Sequence, residues 1–129
     1  MISELNKITQ TIIASAVTVH RELGAGLLES AYETCLAYEL ALHGLIFELQ
    51  KELPINYRGV KVGCGYRIDL IVENKVIVEL KAVERTEPIH EAQRLSCLKL
   101  SGCKVGLLIN FTVKTLRQGI RRLINNLQE

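Results

Sequence analysis

The feature that most constrains this chain is a pair of apolar, β-branched-rich runs, residues 66–72 and 76–83, separated only by Glu73-Asn74-Lys75. Two such runs with so short a connection predict an antiparallel hairpin. Both runs are apolar at successive positions rather than at alternate ones, which is typical of central strands that are covered on both faces. We therefore expect a sheet with helices packed against it.

Apolar residues spaced three and four apart predict the helices that would cover this sheet. The predicted helices are residues 5–23, residues 28–43, residues 88–100, and a last one that begins at Thr112 or Lys114 and carries Leu116, Ile120, Leu123, Ile124 and Leu127. Glycine follows each of the first two, as it commonly does at helix ends. These two helices should pack together as a hairpin.

Two further stretches predict strands on either side of the central pair. An early or edge strand begins at Phe47 and is broken by Pro54 and the Tyr57-Arg58-Gly59 turn, and another strand spans Val105–Phe111. The expected order is α-α-β-β-β-β-α-β-α. It describes an α/β (α+β) fold, a mixed central sheet flanked by helices, in one domain over residues 1–129.

Charged residues interrupt the two central strands. Asp69 lies in the first, and Glu79 and Lys81 lie in the second. Alternation along a strand places Glu79 and Lys81 on one face. The loop length decides whether Asp69 joins them, because a three-residue loop sets it opposite Glu79 and a two-residue loop sets it opposite Leu80. A shared site therefore predicts an odd loop or a bulge at residues 73–75.

Two neighbouring carboxylates repel each other unless a cation or a proton lies between them. A divalent ion such as Mg²⁺ or Mn²⁺ would relieve the repulsion between Asp69 and Glu79, and a nearby lysine could then meet a phosphate oxygen or the attacking water. The alternative is an ordinary ion pair of Lys81 with one of the two acids. On spacing alone this structural alternative is favoured, since D…E-x-K arises often by chance.

Two more polar residues lie on helix faces that should be turned toward the sheet. Glu29 shares a stripe with Tyr32 and the leucines that follow it. Gln93 lies on the stripe of Ile89, Cys97 and Leu100. Each has a structural alternative. A glutamate in a first helical turn is favoured by the helix dipole, and a glutamine in a core is commonly satisfied by a local partner.

Taken together, these residues resemble the PD-(D/E)XK nuclease superfamily in Asp69, in Glu79-Leu80-Lys81, in the upstream Glu29 and in the downstream Gln93. More narrowly, the segment Gly26-Leu27-Leu28-Glu29-Ser30-Ala31-Tyr32 reproduces the G-x-x-E-x-x-Y signature of a family of small prokaryotic proteins placed in that superfamily. The resemblance covers nearly the whole chain. It implies a restriction-endonuclease-like core with an N-terminal helical hairpin.

The resemblance also implies a chemistry and a role for each residue. It implies cleavage of phosphodiester bonds that depends on Mg²⁺ or Mn²⁺, with Asp69 and Glu79 holding the ion and Glu29 completing or orienting the metal shell. It further implies that Lys81 stabilises charge at the scissile phosphate and that Gln93 orients the substrate or a metal-bound water.

One position departs from the exonuclease-like branch of the superfamily. There, the glutamine is followed four residues later by a tyrosine, whereas this chain has Cys97 at that position. The departure affects the inferred substrate contact and leaves the metal centre unchanged.

Composition limits how this chain could bind nucleic acid. Sixteen Lys and Arg against fourteen Asp and Glu leave a formal charge of +2, so any basic surface must be local. The four cysteines are scattered, and free thiols in a reducing cytoplasm explain them more simply than disulfides. We expect no signal peptide and no membrane helix, since no run approaches ~20 apolar residues.

Two classes of function stay open at this level. The first is a nuclease acting on DNA, with RNA as the second substrate. The second is a catalytically silent module that binds nucleic acid or other proteins while keeping the nuclease fold. A homodimer or partner proteins are compatible with both.

Overall fold

The computed structural model describes residues 2–84 and 87–124, apart from the side chains of residues 2, 3, 63–66, 91 and 94. Its elements, in chain order, are α1 Ile2–Leu23, α2 Glu29–Leu42, β1 Phe47–Tyr57, β2 Val60–Val72, β3 Val76–Lys81, α3 Pro88–Ser101, β4 Val105–Asn110, a 3₁₀ turn Leu116–Gly119 and β5 Ile120–Ile124. The first three predicted helices are confirmed, each within a few residues of its predicted ends.

The five strands form one mixed sheet in the order β1-β2-β3-β4-β5. Only β3 and β4 run parallel, and the other neighbours are antiparallel. A parallel pair needs a long crossover, which α3 supplies. Every residue of β4 and all of β3 except Lys81 is buried, so the prediction that β3 is a central strand is confirmed.

Helices cover both faces of the sheet and define two separate cores. On one face α1 and α2 pack against the sheet around Tyr32, Leu36, Leu40 and Phe111. On the other face α3 packs through Cys97 and Leu98 against residues that include Ile71 and Ile77. The expected mixed sheet flanked by helices is thus confirmed. No described helix combines the length and the apolarity needed to cross a bilayer.

The turn between β2 and β3 has three residues, as the shared-site hypothesis requires. Val72 pairs with Val76 and Leu70 pairs with Val78, and the ladder ends there, directly before Asp69 and Glu79. Glu73 holds the turn in place because its N–H donates to the Ile46 carbonyl at 2.7 Å and its carboxylate accepts from the Ile46 N–H at 2.6 Å. The odd loop is confirmed.

The hairpin of β1 and β2 is longer than predicted. Pro54 does not end β1, because it lies at a shift in register between Leu53 and Ile55 on an edge strand, where a missing N–H is tolerated. The chain then reverses at Arg58-Gly59, both with positive φ, as a two-residue hairpin turn requires. Three strands therefore precede α3, and the prediction of four strands there is wrong.

The predicted last helix is also wrong. Residues 120–124 form β5, which pairs with β4 along its whole length. Ile120 packs on the α1/α2 side of the sheet and Leu123 on the α3 side. The apolar spacing fits a helix, but a strand here satisfies the backbone groups along the open edge of β4. Leu127 lies outside the described residues.

We predict that Gly119→Ala destabilises the protein, because a Cβ at this position would overlap the carbonyl oxygen of Asn110 at the entry to β5. Overpacking of this kind costs about 1–3 kcal/mol of unfolding free energy, which urea denaturation can measure. Gln118→Ala, at the exposed neighbouring position, is the control. Equal denaturation midpoints for Gly119→Ala and wild type would contradict this account of the β4–β5 junction.

Candidate active site

Asp69 and Glu79 are joined by reciprocal hydrogen bonds between β2 and β3. The Asp69 N–H donates to Glu79 Oε2 at 3.3 Å, and the Leu80 N–H donates to Asp69 Oδ2 at 2.8 Å. Each carboxylate thus accepts from the backbone of the opposite strand. The structure brings these two predicted residues together at the point where the regular pairing of β2 with β3 ends.

The sheet departs from flat alternation at this point. Ile68 and Ile71 pack in the same core, although residues three apart should face opposite sides of a strand. In the neighbouring strand, Gln50 lies opposite Asp69 in the continued register and has a φ of 51°. A left-handed backbone is costly for a residue with a Cβ. The distortion therefore coincides with the position of the carboxylates.

Gln50 connects Asp69 to a third acid that the sequence reasoning missed. Its side-chain amide donates to Glu33 Oε1 at 2.7 Å and lies 3.4 Å from Asp69 Oδ1. Burial raises the pKa of the Glu33 carboxyl above its ordinary value. The bond from Gln50 opposes this rise, and the negative charges of Asp69 and Glu29 add to it. No pattern in the sequence marks Gln50, because its role depends on strand register.

Glu29 lies at the first residue of α2 and is exposed. Its Oε2 accepts a hydrogen bond from the Ala82 N–H at 3.3 Å. Ala82 directly follows the last residue of β3, so Glu29 reaches the same strand end as Glu79 and Lys81. The expectation that Glu29 points toward the sheet agrees with this contact.

Tyr32 holds the start of α2 in position. Its hydroxyl donates to the Gly24 carbonyl at 2.6 Å and accepts from the Leu27 N–H at 3.1 Å, which closes the loop between the two helices. Its ring is fully buried and stacks on Phe111, with centroids 4.3 Å apart. Since Phe111 directly follows β4, the contact aligns the N-terminus of α2 with the ends of the two central strands.

Asn110 holds the segment that follows β3 and is a second residue the sequence reasoning missed. This buried side chain accepts from the Val83 N–H at 3.2 Å and from the Thr112 N–H at 3.1 Å, and it donates to the Val83 carbonyl at 2.8 Å. These bonds fix the backbone beside Ala82, to which Glu29 binds. A buried amide at the end of an apolar strand is the signal that could have identified it.

Lys81 is half-buried at the end of β3, opposite Asn110 of β4. Within the described part of the chain its ammonium group forms no ion pair, although three other cation–acid pairs are present there. The alternative in which Lys81 neutralises Asp69 or Glu79 is therefore wrong.

Gln93 is half-buried on α3, and its side chain forms no hydrogen bond with a described residue. The stripe predicted around it is partly wrong. Cys97 is buried as expected, whereas Ile89 is 58% exposed and Leu100 is 39% exposed. The helix buries the Cys97–Leu98 side instead, because these residues meet the sheet.

Asp69 and Glu79 are the candidate ligands for a divalent ion, which binds carboxylate oxygens. In residues 2–84 and 87–124, no three His, Cys, Asp or Glu side chains are gathered as metal ligands. Magnesium rarely takes an all-protein cage and more often binds one or two carboxylates together with water and substrate phosphate. Asp69 and Glu79 fit this pattern in number and in donor type, and the acids around Glu33 leave local negative charge for a cation to balance.

Comparison with known proteins yields one match. A family model described as the PD-(D/E)XK nuclease superfamily matches residues 6–123 of the chain. No curated protein and no solved structure matches it significantly.

We predict that glycine is better tolerated than alanine at position 50, although glycine in a strand ordinarily costs 0.5–1 kcal/mol relative to alanine. Both changes remove the amide, but only Gln50→Gly relieves the left-handed backbone. The unfolding free energy of the Gln50→Gly variant should exceed that of the Gln50→Ala variant by about 1 kcal/mol. Asn56, an exposed position of the same strand, provides the matched pair. The same order of stability at positions 50 and 56 would contradict the strain assigned to Gln50.

Proposed function

The chain belongs to the PD-(D/E)XK nuclease superfamily, and from this premise we propose that it is a metal-dependent nuclease that hydrolyses phosphodiester bonds of DNA, with RNA as the second substrate. The observation that carries the proposal is the reciprocally bonded pair of Asp69 and Glu79, with Lys81 two residues after Glu79 and in no ion pair with a described acid. An ordinary sheet has no need of two acids at this point, since burying each of them is costly.

In this proposal Asp69 and Glu79 hold Mg²⁺ or Mn²⁺, which when bound lowers the pKa of a water molecule and neutralises phosphate charge. The hydrogen bonds from the Asp69 and Leu80 backbone orient the two carboxylates before the ion binds. Side chains that are held in this way lose little further entropy on binding.

Lys81 supplies the fixed positive charge. Its position at the end of β3 leaves the ammonium group on the same strand as Glu79, two residues further along. Negative charge develops on the phosphate oxygens during hydrolysis, and an ammonium group placed beside them stabilises the transition state more than the ground state. We assign Lys81 to this role.

Glu29 and Gln93 have supporting roles in the proposal. The hydrogen bond from the Ala82 N–H holds the Glu29 carboxylate at the end of β3, where it can complete or orient the metal shell. Gln93 orients the substrate or a metal-bound water.

We further infer that the chain falls into the narrower family named for G-x-x-E-x-x-Y. The contacts of Tyr32 support this by giving the spacing a physical reason. Glu29 and Tyr32 lie about one helical turn apart on the same side of α2. The tyrosine that closes the loop therefore also fixes the position of the glutamate along the helix axis. Gly26, the first residue of the signature, has a φ of 102°, which favours glycine.

The alternative is a silent module that retains the fold and binds nucleic acid or a partner protein in the cytoplasm. The observation that favours it is the lack of a three-ligand cluster among the described residues. An active enzyme and a silent module differ in their response to metal, which makes the following test informative.

Addition of Mg²⁺ or Mn²⁺ should raise the melting temperature of the wild-type protein, because a ligand that binds only the folded state stabilises it. At an ion concentration of 100 Kd the gain is about 2.7 kcal/mol. Asp69→Asn should abolish this response, and Glu4→Gln, an exposed change at the opposite end of the sheet where Glu4 pairs with Lys75, should keep it. A wild-type melting curve that ignores millimolar ion, or an unchanged response in Asp69→Asn, would favour the silent module.

Lys81→Met should leave the protein folded while cleavage of DNA falls by about 10²–10³-fold, since the change keeps the aliphatic stem and removes the charge. Melting and cleavage are measured on the same preparation, with wild type as the reference. A structural ion pair would give the opposite pattern, with a loss of about 3–5 kcal/mol in stability. Full cleavage by the variant would exclude Lys81 as a catalytic residue.

A further inference from the structure

The β1–β2 hairpin extends beyond the sheet that it starts from. β3 pairs only with Leu70–Val72 of β2, whereas β1 and β2 remain paired as far as Tyr57 and Val60. The last part of this ribbon, residues 55–62, is called the hairpin tip below. Within the described residues none of its side chains belongs to either core. A two-stranded ribbon without such support is marginal in water.

The hairpin tip is one of the stretches of the chain that combine exposed cations with no acidic residue. It contains Arg58 and Lys61 and no acidic residue, so it carries the same net charge as the whole chain, +2. Neither cation is ion-paired with a described carboxylate, and both side chains are exposed. The rest of the chain is neutral in sum. The hairpin tip is therefore one local basic surface that the overall composition allows, and residues 112–124, with four exposed cations, form another.

The hairpin tip also presents an apolar face to solvent. Cross-strand pairing joins Ile55 to Val62 and Tyr57 to Val60, and alternation puts these four on one face, with Asn56 and Lys61 on the other. Tyr57 is 61% exposed and Val60 is 62% exposed. Cations beside an apolar, hydroxyl-bearing face suit a surface that offers both phosphates and base edges.

We propose that the hairpin tip binds duplex DNA by entering its major groove, an inference that rests on the nuclease function proposed above. The B-form major groove, about 12 Å wide, admits a two-stranded ribbon, whereas the major groove of A-form RNA is too narrow for side chains to read. A single strand would need several aromatic side chains on which to stack its bases. The hairpin tip has only Tyr57.

The distance from the hairpin tip to the Asp69 and Glu79 carboxylates determines how far from the cleaved bond the tip contacts the duplex. Along β1, Tyr57 lies seven residues from Gln50, which is opposite Asp69, whereas β2 has two additional residues at its register shift. The hairpin tip therefore lies about 23 Å from the carboxylates at 3.3 Å per residue. At 3.4 Å per base pair this is about seven base pairs from the cleaved bond. In this geometry Arg58 and Lys61 bind phosphates that flank the groove, and Tyr57 faces the base edges.

The test is binding of a 30-base-pair duplex, without divalent ion, by the wild-type protein and by an Arg58→Ser/Lys61→Ser variant. The control variant, Lys7→Ser/Lys104→Ser, removes two exposed cations at the other end of the sheet, where α1 contacts the β2–β3 turn. Affinity should fall about tenfold in the tip variant and the salt slope by about 1.8, as two phosphate contacts require. The control should behave as wild type.

The arms of this experiment separate the possible failures. Equal loss in the tip and control variants, no duplex binding by wild type, or tighter binding of the matching single strand would each overturn the assignment of the hairpin tip. A wild-type dimer that dissociates in Tyr57→Ser, without any effect on DNA binding, would assign the apolar face to a second copy instead. Tip-dependent binding without cleavage in Mn²⁺ would uphold this inference and refute the nuclease proposal.

Discussion

Two carboxylates take the place of the regular backbone pairing where β2 and β3 separate, and the rest of the site depends on this exchange. Asp69 accepts from the backbone of β3 and Glu79 accepts from the backbone of β2. The backbone donors are thereby satisfied although the strands no longer run as a ladder. The same bonds orient both acids, so a local defect in the sheet becomes a preorganised pair of hard-oxygen donors. Gln50, left-handed and opposite Asp69, lies where the neighbouring strand meets the same distortion.

Two buried polar residues bring the other elements to this point. Tyr32 closes the α1–α2 loop through its hydroxyl and stacks on Phe111 through its ring, so one side chain ties α2 to the end of β4. Asn110 ties the end of β4 to the segment that follows β3. Because both act at the same end of the parallel pair, Glu29 meets the backbone at Ala82. The carboxyl ends of central strands are where such folds place their ligands.

Charge is distributed unevenly over this small protein. Glu29 and Asp69 lie close enough to Glu33 for their negative charges to raise the pKa of its carboxyl. Arg58 and Lys61 lie at the far end of the hairpin, in a tip that contains no acidic residue. A net charge near zero therefore conceals an acidic centre and a basic extension. An acidic centre repels phosphate until a cation binds, so a separate basic surface is needed to hold a nucleic acid there.

The sequence by itself determined most of the local elements and the residue types of the candidate site. Periodicity, glycine stops and turn residues identified α1 to α3, and the three-residue connection at Glu73-Asn74-Lys75 determined that Asp69 would lie beside Glu79. These features depend on neighbours in the chain. Tertiary structure alone decided that residues 120–124 pair with β4 as a strand, because an apolar spacing compatible with a helix also satisfies an open sheet edge. It likewise decided the contacts of Gln50 and Asn110, whose partners lie far away in sequence and are set by strand register.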